Sequence, residues 1–413
     1  MRTLVLLLLM LAPAAADAQT LSVRGFGEGE VFWFPQEVPA DPTRLIGHFL
    51  GRGEVFYKPA PVIQFAGGLD LRANSHDQVE AGWRLDYGDR GAERPRLSVR
   101  RLSATYTKSR LTVDGGKQFI RWGKTDIVTP TDRFAPRDFL NVINGEFLAV
   151  TAVRAVIQLR DDAFDGVWAP RFTPSRTPLL DQRWSGIPPN AVQVPVDGGA
   201  TMPTGSQFGI RWSHLGAAAE YSLSYFDGFN HLPLIRSSVD IEAPAVVVTR
   251  LYPAIRTYGG DLAAPTPWFT IKGEAAFFES SSNDVPPDER SDDYVLFVAQ
   301  LERQSGEWTF VGGYAGEIVV RSRSSLPFAP DRGLSHAFLG RAAYTLDPNR
   351  SVALEGAVRE NGRGVYTRGE YSQAHGQHWR TTVAAAVIGG ETDDFLGQYR
   401  RNSYMSATLR YSY

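Results

Sequence analysis

The sequence predicts an all-β fold: a closed antiparallel transmembrane β-barrel of about 18 strands. Three observations predict it. Many segments alternate apolar and polar residues with a period of two, the connections between them alternate between short and long, and the last strand stops flush on an aromatic, Tyr413. Period-2 alternation gives a strand one apolar and one polar face. A regular alternation of short and long connections is the asymmetry of a membrane barrel.

The N-terminus sets the compartment. Arg2 precedes the apolar run Leu4 to Leu11, and Ala16-Asp17-Ala18 supplies the small residues that signal peptidase requires. The run is too short to span about 30 Å of hydrocarbon. Residues 1–18 are therefore expected to be a signal peptide, with residues 19–413 forming a single barrel domain from Gln19 onward. None of the 413 residues is cysteine, which excludes a disulfide framework, a thiol nucleophile and Cys-ligated metal. A net charge of −2 gives no nucleic-acid footprint. Nine Trp, 16 Tyr, 23 Phe and 40 Gly suit aromatic girdles and close strand packing.

The alternation recurs along the chain. Phe208, Ile210 and Trp212 oppose Gln207, Arg211 and Ser213; Tyr221, Leu223 and Tyr225 oppose Glu220, Ser222 and Ser224. Phe269, Ile271, Ala275 and Phe277 oppose Thr270, Lys272 and Glu274. Val295, Phe297, Ala299 and Leu301 oppose Gln300 and Glu302, although Leu296 and Val298 blur that strand. Trp308, Phe310, Tyr314 and Ile318 oppose Thr309 and Glu317. Val352, Leu354 and Val358 oppose Glu355 and Arg359, and Trp379, Val383 and Val387 oppose Arg380 and Thr382.

Short turns are expected near residues 59–60, 107–109, 161–163, 215–216, 264–267, 303–306, 346–350 and 375–377. Long stretches lie between them at 34–44, 74–95, 122–147, 173–205, 227–254, 281–291, 321–333 and 389–402, with one brief connection at 361–364. This gives 18 strands with both termini on the short-turn side. Residues 79–88 as an extra strand pair, or 245–252 as a strand, would give 16 or 20.

In the last strand Met405, Ala407, Leu409, Tyr411 and Tyr413 share one parity, and Tyr404, Ser406, Thr408, Arg410 and Ser412 the other. Joined to an export signal, this resembles the closing strand of bacterial outer-membrane β-barrels. That resemblance implies an outer-membrane location, contacts with lipid and lipopolysaccharide, and delivery to the barrel-assembly machinery, with Tyr411, Leu409 and Ala407 in the signal positions. The chain resembles barrels of porin type over its mature length, and the segments GKQFIRWGK and PTDRFAPRD look like parts of porin-like families. Passive passage of small hydrophilic solutes, no cofactor and compatibility with an oligomer follow as expectations.

Residues 116–140 concentrate charge: Lys117, Arg121, Lys124, Arg133 and Arg137 with Asp126, Asp132 and Asp138. Gly115 and Gly116 open the segment, Pro130 and Pro136 break any ladder, and Pro136 fits the first turn of a short helix through Phe139 and Leu140. Phe119, Trp122, Phe134 and Phe139 demand burial. By resemblance to general porins, this loop is the candidate constriction, its fixed charges selecting solutes by sign. The competing reading pairs these charges with one another to pin an outer loop. A second group, Arg341, Arg359, Arg368, Arg380 and Arg410, falls on the inward parity of five consecutive strands, with Glu355 and Glu370 among them. It forms a candidate basic ladder favouring anionic or zwitterionic solutes, tempered by inward Glu220, Asp261, Glu274 and Glu317, and the alternative is a set of cross-strand ion pairs. In the loop 173–205, prolines and glycines argue against regular structure. Trp184, Leu179 and Leu180 are expected to pack it onto neighbouring loops rather than into the barrel mouth.

Catalytic motifs do not stand out. None of the seven histidines lies in HExxH, and there is no GxSxG or phosphate-cradling loop. A Ser/His pair assembled in space is left open. The three aspartates of 116–140 lack calcium-loop spacing, and a plug domain ahead of the first strand is not expected. A loop-plugged barrel for export, adhesion or assembly, and an outer-membrane hydrolase, are the alternatives.

Overall fold

The computed structural model describes residues 20–39, 41–126, 128–143, 145–185, 195–240, 245–280, 292–322 and 333–413. The expected signal peptide and the loop 281–291 lie outside these residues, as does most of 321–333. Eighteen strands form the wall. They begin with β1 Thr20–Trp33, β2 Leu45–Ala60, β3 Ile63–Asn74, β4 Leu97–Lys108, β5 Leu111–Gln118 and β6 Val150–Leu159. Next come β7 Asp162–Ala169, β8 Gln207–Leu215, β9 Glu220–Phe229, β10 Ala254–Pro265, β11 Thr270–Ser280 and β12 Asp293–Ser305. The last six are β13 Trp308–Arg321, β14 Ala337–Asp347, β15 Arg350–Arg359, β16 Gly364–His375, β17 Trp379–Gly390 and β18 Tyr404–Ser412. Each pairs antiparallel with the next, and β18 returns to β1 with Phe26 opposite Ser412 and Trp33 opposite Met405. Closure leaves the wall no free edge, the condition for burying strands in lipid.

The two faces separate as the alternation requires. On β18, Met405, Leu409, Tyr411 and Tyr413 are exposed on the outside, while Tyr404 and Ser406 are buried within. On β13 and β17, Trp308, Phe310, Ile318, Trp379, Val383 and Val387 are likewise exposed. Aromatic pairs such as Trp308–Tyr344 and Trp379–Tyr411, with centroids 4.7 and 4.9 Å apart, stand beside the turn-side end of the wall. Amphipathic rings favour that depth of a bilayer.

Eight turns of two to four residues join strands at one end, within about two residues of the expected positions. The other end carries the long loops. The apolar segment at 245–252 is a strand, Ala245–Leu251, but it lies outside the wall: it pairs with Leu234–Asp240 and, in parallel, with Val196–Thr201. The stretch 173–205 is thus not wholly irregular. Within 79–88 Leu85–Asp86 is a short strand beside Leu97 and Ser98, and Val79 makes a single parallel bridge to Arg94.

Two apolar clusters occupy parts of the interior. One joins Ile120, Trp122, Val128 and Phe134 of the long loop to inward Phe226, Ile255, Phe278, Leu296 and Val298. This explains the blurred strand: Leu296 and Val298 face inward yet meet a greasy loop instead of water. Burying each such side chain stabilises by about 1.5–3 kcal/mol, so the loop is fixed rather than free to swing. The second cluster places Trp184 with Phe32, Phe34, Ile46, Tyr366, Ile388, Tyr399 and Tyr404. Since Phe32, Ile46, Tyr366 and Ile388 point inward, Trp184 packs at the barrel mouth, contrary to the expectation of loop-on-loop packing alone. An inward aromatic wall there recruits it.

Candidate functional site

Gly116 starts the inward course of the charged segment. Its φ is +118°, a conformation rarely adopted by residues with a side chain, and a Cβ would lie 2.3 Å from the Leu102 carbonyl oxygen. Past it, the described residues of 119–149 run along inward-facing side chains. At one end Glu274 of β11 accepts from the backbone of Lys124, Thr125 and Thr131 and from both threonine hydroxyls, at 2.8 to 3.2 Å. Trp122 Nε1 donates to Asp165 of β7 at 2.9 Å, and Asp126 meets Lys272 of β11 and Gln300 of β12. At the other end Glu146 reaches Arg52, Arg72 and Arg100 on β2, β3 and β4. The segment therefore crosses between opposite parts of the inner wall.

The expected helix at Pro136 does not form. Arg137–Asp138 pairs instead with Glu146–Phe147, and the Pro136 carbonyl accepts from Leu148 N. The carbonyl groups that a helix would offer to the residue four places on are used otherwise: that of Pro136 within this hairpin and that of Arg137 by Arg176 N.

The eight charged residues of the segment divide by environment. Lys117 is buried on Asp89 at 2.6 Å, and Asp138 is buried between Arg94 and Arg176 at 2.9 and 3.1 Å. Burial opposes ionisation of Asp138, but Arg94 and Arg176 outweigh it and hold its pKa well below the usual carboxylate range. Lys124 pairs with wall carboxylates Glu220 and Asp261 at 2.5 and 3.6 Å. Asp132 is buried, accepting from Gly123 N at 2.8 Å and from Arg121 Nε at 3.0 Å. Arg121, Asp126 and Arg137 reach open space; Arg133 borders a cavity but is only 5% exposed and stacks on Phe278, while the guanidinium carbons of Arg121 and Arg137 lie 4.0 and 4.1 Å from the ring centre of Phe147.

Two cavities flank the segment and share Gly145. One, about 680 Å³, runs from His231 and Phe395 among the loops to Glu302 and Thr309 beside a turn, past Arg133, Arg137 and Arg341. The other, about 710 Å³, opens toward Ser412 and Tyr413 and is lined by Arg24, Arg52, Arg100, Arg101, Arg121 and Arg410. Consecutive Arg100 and Arg101 both face this cavity because a bulge there lets β4 gain a residue on β3: Gly68 faces Arg101, but Leu69 faces Val99. A strict alternation would send one of them to lipid, so sequence reasoning missed the pair.

The ladder arginines separate by depth. Arg341 faces Glu355 in register, Glu355 faces Arg368, and Arg368 also pairs with Glu370 at 2.7 Å. Arg380 stands opposite Arg410, which stacks on Phe26 at 3.6 Å and lies 3.7 Å from Glu28. Arg359 is at the loop end, bonded to Asp394 and the Gly333 carbonyl. Among loop residues, Ser175 Oγ and His231 Nδ1 are 2.8 Å apart, the spatial Ser/His pair that sequence left open. Both are buried, and the charges facing the imidazole are Arg133 and Arg137. A triad needs a carboxylate in that place to orient the base.

No family model matches the sequence, and no curated protein matches it significantly. Solved structures do match. OpdQ of Pseudomonas aeruginosa superposes with a TM-score of 0.53 at 11% identity, covering 96% of this chain and 99% of that one. A BenF-like porin from Pseudomonas fluorescens gives 0.55 at 9%, covering 96% and 98%. OccAB4 of Acinetobacter baumannii gives 0.53 at 10%, covering 97% and 100%. With its closed antiparallel wall of 18 strands, the chain has the fold of porin-type outer-membrane β-barrels.

Proposed function

We propose that the protein is an outer-membrane channel for passive diffusion of small hydrophilic solutes, with a preference for anionic ones. The observation that carries this reading is the cavity lined by Arg24, Arg52, Arg100, Arg101, Arg121 and Arg410 on one side of the inward segment; the cavity on the other side is mixed, with Arg133, Arg137 and Arg341 among Asp126, Asp132, Glu302 and Glu355. Arginines aimed into a confined space raise the local concentration of anions and lower the cost of their dehydration. Several of these guanidiniums stack on phenylalanine, which fixes their orientation beside the carboxylates that partly balance them, such as Asp132 on Arg121 and Glu146 on Arg52 and Arg100. Arg121, Arg133 and Arg137 act as the constriction charges. Lys117 and Asp138 serve by locking the loops that carry them, and no chemistry is required.

Reconstitution in a planar bilayer tests this. Stable open-channel steps with a reversal potential shifted toward that of the anion are expected under a salt gradient. The apolar cluster around Trp184 at the mouth favours a second reading, in which the loops keep the barrel closed for an export, adhesion or assembly role. A silent bilayer from correctly folded protein would select that reading.

A further inference from the structure

Glu146 occupies a place built for the carboxylate of another molecule. Its Oε1 accepts from Arg52 Nη2 at 2.5 Å and Arg100 Nη1 at 2.7 Å, and its Oε2 accepts from Arg72 Nη2 at 2.8 Å. The three arginines come from neighbouring strands of the wall, β2, β3 and β4. Beneath them Asp70 accepts from Arg52 Nε at 2.7 Å and Arg72 Nη2 at 2.9 Å. Asp70 is buried, its side chain 3% exposed, whereas that of Glu146 is 36% exposed. The two carboxylates thus have different standing. Asp70 belongs to the wall and fixes the guanidiniums from behind. Glu146 belongs to the loop, faces the cavity and covers the donors that a passing anion would meet. Its neighbour Gly145 is the residue common to both cavities.

We propose that Glu146 is a tethered competitor: it fills a carboxylate-binding cradle formed by Arg52, Arg72 and Arg100, and an anionic solute passes by displacing it. The inference rests on the channel reading above. Charge-assisted bonds of this kind are strong and geometrically selective, so an unopposed cradle would hold a carboxylate too long for conduction, which requires binding weak enough to release. A competitor on the loop shortens the stay. It remains ionised throughout the neutral range, because its arginine partners outweigh burial and hold its pKa at about 2.

The test is chloride current through single channels with acetate added as the probe. Glu146→Gln keeps the shape and removes the charge. It is expected to lower the acetate concentration for half-block about tenfold, a change that corresponds to roughly 1.4 kcal/mol, and to lengthen each blocked interval. Glu146→Asp keeps the charge and should stay near the wild type. Folding is checked by heat-modifiable migration on gels, and Glu146→Ala replaces Glu146→Gln if the latter does not fold. Unchanged acetate block in the neutral variant overturns the inference, as does a variant that only adds open-channel noise. A wild-type protein that passes no ions overturns the channel reading instead.

Discussion

Glu274, on the inner face of β11, accepts hydrogen bonds from both the backbone N–H and the hydroxyl of Thr131, each at 2.8 Å. Three further donors from Lys124 and Thr125 converge on the same buried carboxylate. One carboxyl group on the wall thus organises the turn of a loop that crosses the lumen. Replacing it by alanine strands those donors, at about 1–3 kcal/mol for each that stays unsatisfied in the interior. Glu274→Ala is therefore expected to give larger and noisier single-channel currents, with Glu274→Gln intermediate. Traces that match the wild type would show that apolar packing alone holds the loop.

Arg121 and Arg137 both stack on the ring of Phe147. Truncating both to alanine removes two positive charges from the narrow region while leaving Asp132 and its backbone bonds in place. The anion-to-cation permeability ratio is expected to fall several-fold, read from the reversal potential in a salt gradient. Phe147→Leu keeps the charges and loses the stacking, worth about 0.5–2 kcal/mol per pair, so its shift should be smaller. An unmoved reversal potential in the double variant would remove these residues from the constriction.

The wall was legible in the sequence because lipid outside and water inside impose opposite polarities on alternate residues, as in Met405 to Tyr413. The loop ends were legible from glycine and proline. What sequence concealed follows from breaks in that simple contrast. Leu296 and Val298 face inward but meet Trp122 and Phe134, so their strand looks apolar on both sides. Arg100 and Arg101 share a face only because of a bulge. Glu146 is an ordinary loop carboxylate until three strands bring arginines to it, and neither spacing nor composition encodes that meeting. Lys117 and Asp138 read as selectivity charges, yet their partners, Asp89 and Arg176, come from two other loops.

His231 makes stability depend on pH above the range in which Glu146 and Asp138 act. Burial, then Arg133 and Arg137, push its pKa well below 6.5, so the folded protein keeps it neutral while the unfolded chain takes up a proton. Stability from this group is full above about pH 6.5 and declines as pH falls below that value. Glu146 and Asp138 have depressed values, so their stabilisation is complete above about pH 4.5 and is lost only as pH falls toward their folded pKa values. The urea midpoint should therefore decline in two stages, and His231→Asn, which can still bond Ser175, should reduce the first. Overlapping curves for variant and wild type between about pH 7 and 5 would refute the assignment.

Arg176 joins the charged segment to the loops around it. Its guanidinium, 1% exposed, donates to Asp89 at 2.8 Å and Asp138 at 3.1 Å, while Lys117 and Arg94 approach the same two carboxylates from the other side. Methionine fills similar volume but leaves each aspartate with one cation fewer in a site that water does not reach. Breaking a buried ion network from one side costs about 3–5 kcal/mol. Arg176→Met is expected to lower the urea midpoint and to open the loop 75–96 to protease, and Arg176→Lys should rescue little, because an ammonium lacks the planar fork that spans both partners. If the methionine variant kept its midpoint and its protease resistance, the loops would be held by their apolar contacts, with the ion network adding nothing beyond its own desolvation.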